Sequence, residues 1–114
     1  MKRSLTRAEI IRSRQDIQRV FRRGKRIQCN GLSLIIQSNH LDFSRFLFST
    51  VRKFGTAIGR NRAKRLAREA IRLHKQRIKH GYDIAVVLYP GEYTYQDREQ
   101  EILRALEKFG CVVE

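Results

Sequence analysis

The residues of this chain best suited to chemistry are cations, and they concentrate in residues 60–72. Arg60, Lys64, Arg68 and Arg72 recur every fourth residue, so on a helix they would form one cationic ridge. An apolar stripe beside that ridge consists of Ala63, Leu66, Ala67, Ala70 and Ile71. Only Glu69 offers a negative charge within this stretch. The pattern predicts a helix with one buried side and one side that binds an extended polyanion.

The charge of the whole chain is unevenly distributed. The 114 residues carry a formal net charge of +14. Residues 1–80 hold 22 of the 25 Lys and Arg and only four acids, a net charge of +18, whereas residues 81–114 carry −4. We therefore expect the polyanion to contact surfaces built from the first two thirds of the chain, with a structural role for the C-terminal third.

No arrangement of side chains predicts catalysis or metal binding by the protein itself. We find no Ser/His/Asp or Cys/His set and no paired carboxylates in the basic region. Cys29 and Cys111 match no zinc spacing, and reduced thiols are expected. Asp83 reads as a turn or strand-edge residue. No apolar run approaches the roughly 20 residues of a membrane span, so the expectation is a cytoplasmic protein without a membrane or small-molecule partner.

The hydrophobic pattern predicts one α+β domain over residues 1–114, an α/β sandwich of element order α-β-β-α-β-α. Ser13 and Thr94 are expected N-caps, and Gly24 and Gly110 are expected to end helices. Alternating residues predict strands at 32–37 and 46–51 that pair as a hairpin. The apolar run 84–88 predicts a buried strand. The basic helix is expected to run to about Lys79.

Two residues leave alternatives open at this stage. Asn61 lies between two arginines, where it either caps the helix start or donates to a phosphate or a base edge. Phe21 follows Ile17 at helical spacing, which favours a core position, but it could instead provide a stacking surface for bases.

Residues 60–68 resemble the signature Arg-Asn-Arg-x-Lys-Arg-x-x-Arg of the protein subunit of bacterial ribonuclease P. The similarity extends to residues 52–57, 19–24 and 82–87, so it covers nearly the whole chain. The resemblance implies a small, mostly antiparallel sheet, with a possible extra short strand and a left-handed β-α-β crossover. This hand is opposite to the usual one.

The resemblance also implies a function and its residues. A catalytic RNA that requires Mg²⁺ would remove the 5′ leader of precursor tRNA, and the protein would bind both RNAs without a catalytic residue or a cofactor of its own. The implied contacts to the RNA subunit are Arg60, Asn61, Arg62, Lys64, Arg65, Arg68 and Arg72. The implied leader-binding cleft consists of Arg14, Ile17, Phe21, Ser49, Arg52 and Lys53. Ile17 and Ile35 stand where the family often has aromatic residues, so this cleft should rely less on stacking.

Two other classes of protein compete with this interpretation. A ribosomal or ribosome-assembly protein would share the size, the charge and the α+β architecture. A self-sufficient nuclease is disfavoured because the basic region lacks a carboxylate cluster. Leader-dependent cleavage in the presence of the RNA subunit would distinguish a ribonuclease P protein from a ribosomal protein, which should not enhance it.

Overall fold

The computed structural model describes residues 5–113, which form three helices and a four-stranded sheet. The helices are α1 (Arg14–Arg23), α2 (Ala57–His74) and α3 (Tyr95–Phe109). The strands are β1 (Lys25–Gln28), β2 (Leu32–Ser38), β3 (Arg45–Thr50) and β4 (Tyr82–Leu88). Short 3₁₀ turns precede α1 and follow α2. The predicted α+β class is confirmed, and β1 is the extra short strand.

The strand order is β1-β2-β4-β3, with β3 parallel to β4 and the other neighbours antiparallel. The predicted hairpin between β2 and β3 is therefore wrong, because β4 lies between them. Strand β4 is apolar on both faces, so it is most stable at the centre, where both its edges and both its faces are covered. The parallel β3-α2-β4 unit confirms a crossover, and its left hand stays a prediction.

The sheet buries unequal cores on its two faces. Helices α2 and α3 cover one face, where alternating residues such as Leu34, Val86 and Phe46 join a cluster of 17 buried residues. Helix α1 covers the other face with a cluster of five, Ile11, Val20, Ile35, Ala85 and Val87. One short helix cannot cover a four-stranded sheet, so part of this second face stays open.

The helix ends agree with the sequence except at the end of α2. The Ser13 and Thr94 side chains accept from the backbone N–H groups of Asp16 and Asp97, as expected of N-caps, and Gly110 has φ 94°. Gly24 ends α1 as predicted, with an extended backbone of φ −69°. A Cβ there would lie 2.5 Å from Ile35 Cγ2, so this glycine is required for close packing. Helix α2 ends at His74, earlier than predicted.

Candidate nucleic-acid interface

Helix α2 presents its cations outward because its apolar side is held against the sheet. The buried positions Ala63, Ala67, Ala70 and Ile71 are mostly small, which allows a helix to pack closely against its neighbours. The Thr56 hydroxyl caps its first turn by accepting from Gly59 N at 3.0 Å. Asn61 is therefore not the cap, and the open question about this residue is resolved against that role.

The seven residues implied to contact the RNA subunit do not all have the same surroundings. Asn61, Lys64, Arg65 and Arg68 line one groove between α2 and β3. Arg60 is exposed at the start of the helix. Arg62 turns to the other side and donates to the Tyr93 carbonyl at 3.4 Å. Five of the seven therefore remain directed at solvent or at this groove.

Arg72 differs because it has an acidic partner on its own helix. Its Nε donates to Glu69 Oε2 at 3.0 Å, and its Nη2 donates to the other carboxylate oxygen. These hydrogen bonds lower the pKa of the Glu69 carboxyl and raise the pKa of the Arg72 guanidinium. The charge at the C-terminal end of the ridge is thus partly neutralised within the protein.

The face of the sheet beneath α1 forms the second candidate surface. Side chains on this face lie in three rows across the strands, read from the pairing register. The first row holds Asp83 and Arg45, and the middle row holds Ile35, Ala85 and Leu47 beneath α1. The third row, here called the polar row, consists of Gln28, Ser33, Val87 and Ser49.

An ion-pair network fixes the N-terminal half of α1 over the first row. Arg45 donates to both carboxylate oxygens of the buried Asp83, at 2.8 and 2.7 Å, and also to Asp16 of α1 at 3.2 Å. Asn39 Nδ2 donates to the same Asp83 at 2.9 Å. Asp83 lies at the start of β4, as the strand-edge interpretation predicted, but it is also buried, and its carboxylate joins the sheet to α1 through Arg45. Its burial is possible because its partners supply charge and hydrogen bonds.

The polar row lies at the opposite strand ends and carries a hydroxyl network. Tyr89 Oη donates to Ser33 Oγ at 3.1 Å, and Arg26 Nη1 donates to the same Ser33 oxygen at 2.9 Å. Gln28 Nε2 donates to Tyr89 Oη at 2.9 Å. Burial alone would raise the pKa of Tyr89, but its hydrogen bonds with Ser33 and Gln28 and the nearby Arg26 charge lower it. The sequence analysis missed this network, although a serine and an arginine alternating with apolar strand residues signalled a polar stripe.

The predicted cleft residues fall around this open face. Ile17 and Phe21 share a side of α1, where Ile17 packs against the core and Phe21 is 40% exposed. The exposure favours the stacking interpretation of Phe21 over the core interpretation. Arg14 is exposed one turn earlier. Ser49 belongs to the polar row, and Arg52 and Lys53 follow in the exposed turn after β3.

Among the described residues, the exposed cations have the chemistry to contact phosphates, and the exposed ring of Phe21 has the chemistry to stack on a base. In the range 5–113, no three His, Cys, Asp or Glu side chains come together as a possible metal site. Over the same residues, no helix is both long and apolar enough to span a membrane.

A family model described as Ribonuclease P matches residues 5–110. The chain belongs to the ribonuclease P protein family. It is 40% identical to the ribonuclease P protein component of Thermotoga maritima over 76% of this chain and 74% of that protein. The Alkaliphilus metalliredigens component is 31% identical over 90% of this chain and 94% of that protein.

Solved structures of the family agree in fold. The ribonuclease P protein of Staphylococcus aureus superposes with a TM-score of 0.82 and 25% identity, covering 92% of this chain and 98% of that one. The Thermotoga maritima ribonuclease P protein superposes with a TM-score of 0.79 and 30% identity, covering 88% and 96%. The membership confirms the resemblance of residues 60–68, and a role in tRNA processing within a ribonucleoprotein follows from it.

Proposed function

We propose that this chain is the non-catalytic protein subunit of a ribonuclease P ribonucleoprotein, which removes the 5′ leader of precursor tRNA. The observation that carries this proposal is the pairing of two surfaces on one small domain. One is the cationic side of α2, and the other is the open sheet face beside Phe21. The family assignment gives no support to the ribosomal alternative.

The RNase P RNA is the proposed partner of α2. Arg60, Asn61, Arg62, Lys64, Arg65 and Arg68 contact phosphates and displace counterions from the RNA, a contribution that depends strongly on salt. Arg62 can still donate elsewhere, because a guanidinium carries five N–H groups. Arg72 contributes less, because Glu69 competes with the phosphate for its guanidinium.

The leader of precursor tRNA is the proposed occupant of the open sheet face. Arg14, Arg52 and Lys53 contact its phosphates, and Phe21 and Ile17 provide the apolar contact to its bases. Ser49 adds hydrogen bonds, together with the hydroxyl network of the polar row. Arg45 links Asp83 to Asp16 of α1 and so fixes the N-terminal half of α1 beside this face.

The chemistry of cleavage is assigned to the RNA. Mg²⁺ would be held by the RNA active site, where it would activate water and stabilise charge on the phosphate. The described residues provide no cluster of ligands for such an ion, so none of them is assigned to hold it. The protein reduces repulsion between two polyanions as they approach each other, which lowers the Mg²⁺ concentration that cleavage requires.

Reconstitution tests this function. The purified protein, the RNase P RNA of its organism and precursor tRNA are combined across a Mg²⁺ titration. We expect the RNA alone to cleave in high Mg²⁺, the mixture to cleave at lower Mg²⁺, and RNA-free protein not to cleave. A ribosomal protein would give no leader-dependent enhancement. Specific cleavage by RNA-free protein would overturn the proposal.

The role of α2 has its own test. Arg65→Ala should weaken binding to the RNase P RNA and reduce the slope of log affinity against log salt by about one unit, the value for one lost phosphate contact. Arg104→Ala is the matched control, since Arg104 is an exposed arginine on α3. Equal slopes for both variants and the unmodified protein would show that Arg65 faces solvent in the complex.

A further inference from the structure

A groove of about 380 Å³ separates α2 from the outer edge of β3. Its floor is apolar and includes Ile10 and Phe48, whereas its wall carries Asn61, Lys64, Arg65 and Arg68. This volume lies within the range of sites that hold small organic ligands. An apolar floor below a cationic wall suits a ligand that has both a flat apolar part and a negative charge.

The Phe48 ring is accessible from the groove. Phe48 packs against the larger core but is only partly buried. The guanidinium carbon of Arg68 lies over its ring, 5.6 Å from the centroid. A nucleobase would take the place of this guanidinium when Arg68 turns to a phosphate, because both are planar groups that stack on aromatic rings.

The backbone of β3 also offers hydrogen-bonding groups to this groove. β3 is the outermost strand, and Ile11 N donates to the Phe46 carbonyl on its outer edge at 2.9 Å. Two residues further on, strand alternation turns the N–H and C=O of Phe48 toward the same edge. Within residues 5–113, strand pairing on this edge of β3 is limited to the bridge between Ile10 and Phe46.

Asn61 supplies a side chain that can read a base. Thr56 provides the helix cap, so the Asn61 carboxamide is not required for that role and lies in the groove wall. A carboxamide presents one acceptor and two donors, the complement of a base edge. The two arginines beside it in sequence present donors alone.

We propose that this groove holds one unpaired nucleotide of the RNase P RNA. Its base stacks on Phe48 with an edge toward Asn61, and Lys64 and Arg65 contact its phosphate. This inference rests on the proposed function, since it takes the RNase P RNA as the partner. It adds a base contact to a helix whose other contacts to RNA would be to phosphates, which do not depend on the base sequence.

The test compares Phe48→Leu with Phe48→Tyr in binding of the intact protein to the RNase P RNA alone. Leucine retains an apolar contact with the core but has no ring face, whereas tyrosine retains the ring. We expect Phe48→Leu to weaken binding by about 5- to 100-fold at an unchanged salt slope, because stacking releases no counterions. Phe48→Tyr should bind like the unmodified protein. Arg65→Ala provides the contrast, since it should lower both affinity and slope.

A thermal melt would detect misfolding of Phe48→Leu, and a second variant tests the groove independently of that outcome. Asn61 is exposed, so Asn61→Ala should fold normally and weaken binding without a change in slope. The double variant should lose less than the sum of the two single losses, because both residues contact one base.

Several outcomes would overturn the groove assignment. One is that both Phe48→Leu and Asn61→Ala bind the RNase P RNA as tightly as the unmodified protein does. Another is a loss confined to precursors with a leader, which would place the nucleotide in the substrate. In either case normal binding and cleavage by the unmodified protein would leave the proposed function intact, whereas failure of the unmodified protein to bind the RNA would refute that function first.

Discussion

The two faces of the sheet differ in how completely they are covered. Two helices bury 17 residues on one face, whereas one short helix and the preceding segment bury five on the other. Both faces derive from the same strands, since β2 and β4 alternate between the two clusters. The heavily covered face supplies most of the apolar burial, which allows the other to remain open for ligand contact. Under the proposed function, most of the stability and the binding of the leader are thus assigned to opposite faces of one sheet.

The largest effect should follow a cavity in the heavily covered face. Leu34→Ala removes a fully buried side chain from the centre of that cluster, where two packed helices limit relaxation. We expect a loss of about 3–5 kcal/mol in the free energy of unfolding, measured by urea denaturation. Under conditions where the variant stays folded, its preference for precursor over mature tRNA should be unchanged. A changed preference would mean that the two faces are coupled.

Breaking the tether of α1 should cost somewhat less stability but alter the open face. Arg45→Gln leaves Asp83 buried with Asn39 as its remaining side-chain donor, and we expect a loss of about 2–4 kcal/mol by urea denaturation, since Arg45 is itself partly solvated. Binding of precursors should weaken beyond binding of mature tRNA.

Arg19→Gln is the control for the loss of charge alone. It removes an exposed ion pair with the same Asp16 and should change stability by less than about 0.5 kcal/mol. If Arg45→Gln and Arg19→Gln behave alike, the network does not position α1.

A binding effect without a stability effect is expected for Phe21→Ala. If a leader base stacks on this ring, the variant should bind precursors with a leader about 5- to 150-fold more weakly, from roughly 1–3 kcal/mol of lost stacking. Binding of mature tRNA and of the RNase P RNA should be nearly unchanged. Because Phe21 is 40% exposed, the melting temperature of the variant should differ little from that of the unmodified protein.

Leu41→Ala is the matched control, since Leu41 is 41% exposed in the loop after β2. It should change neither the melt nor the binding of precursors. A large drop in the melting temperature of Phe21→Ala, with equal losses of affinity for precursor and mature tRNA, would show that Phe21 is a core residue.

The smallest effect concerns a polar link between α2 and α3 beside the larger core. His74 Nε2 lies 2.8 Å from Glu99 Oε2, and the Tyr95 hydroxyl donates to the same oxygen at 3.1 Å. The hydrogen bond with His74, reinforced by that from Tyr95, lowers the pKa of Glu99 despite the opposing effect of burial. Burial, followed by the Glu99 carboxylate, raises the pKa of Tyr95 to about 12, so the hydroxyl remains a donor.

The sign of the pH dependence follows from the lowered pKa of Glu99. The unfolded chain binds a proton at this carboxyl more readily, so the stabilisation is complete above the ordinary value of 4.5 and decreases as the pH falls through the lowered folded-state pKa. The stability gap between the unmodified protein and Glu99→Gln should therefore shrink as the pH falls below about 4.5 and through the lowered folded-state pKa of Glu99. Glu107→Gln, an exposed change on the same helix, is the control. A gap that stays constant would exclude Glu99 titration as its source.

Local signals in the sequence predicted most of the elements and the cationic surface. The Ser13 and Thr94 caps, the left-handed Gly110 and the small buried residues of α2 act within one or two turns of helix, so they are readable from neighbours in the chain. The resemblance of residues 60–68 supplied the family and the cleft residues.

What the sequence did not reveal depends on contacts between distant residues. The β2–β3 hairpin was predicted from proximity in sequence, but the two-sided apolar character of β4 determined the pairing. Gly24 was expected to end a helix and does so, but its close packing against Ile35 could not be read from neighbouring residues. The link from Asp83 to Arg45 joins residues 38 positions apart in the chain. The polar row can be identified only when the registers of all three strand pairs are known.

The position of β4 at the centre of the sheet has a consequence for synthesis on the ribosome. This strand pairs with both β2 and β3, yet it is the last strand to be translated, and pairings over such sequence distances form slowly. A nascent chain that ends before Tyr82 already carries the whole cationic helix, but it lacks the strand that joins β3 to the β1–β2 pair. Such truncated products should bind RNA without discrimination between precursor and mature tRNA, so completion of translation is also the step at which selectivity is acquired.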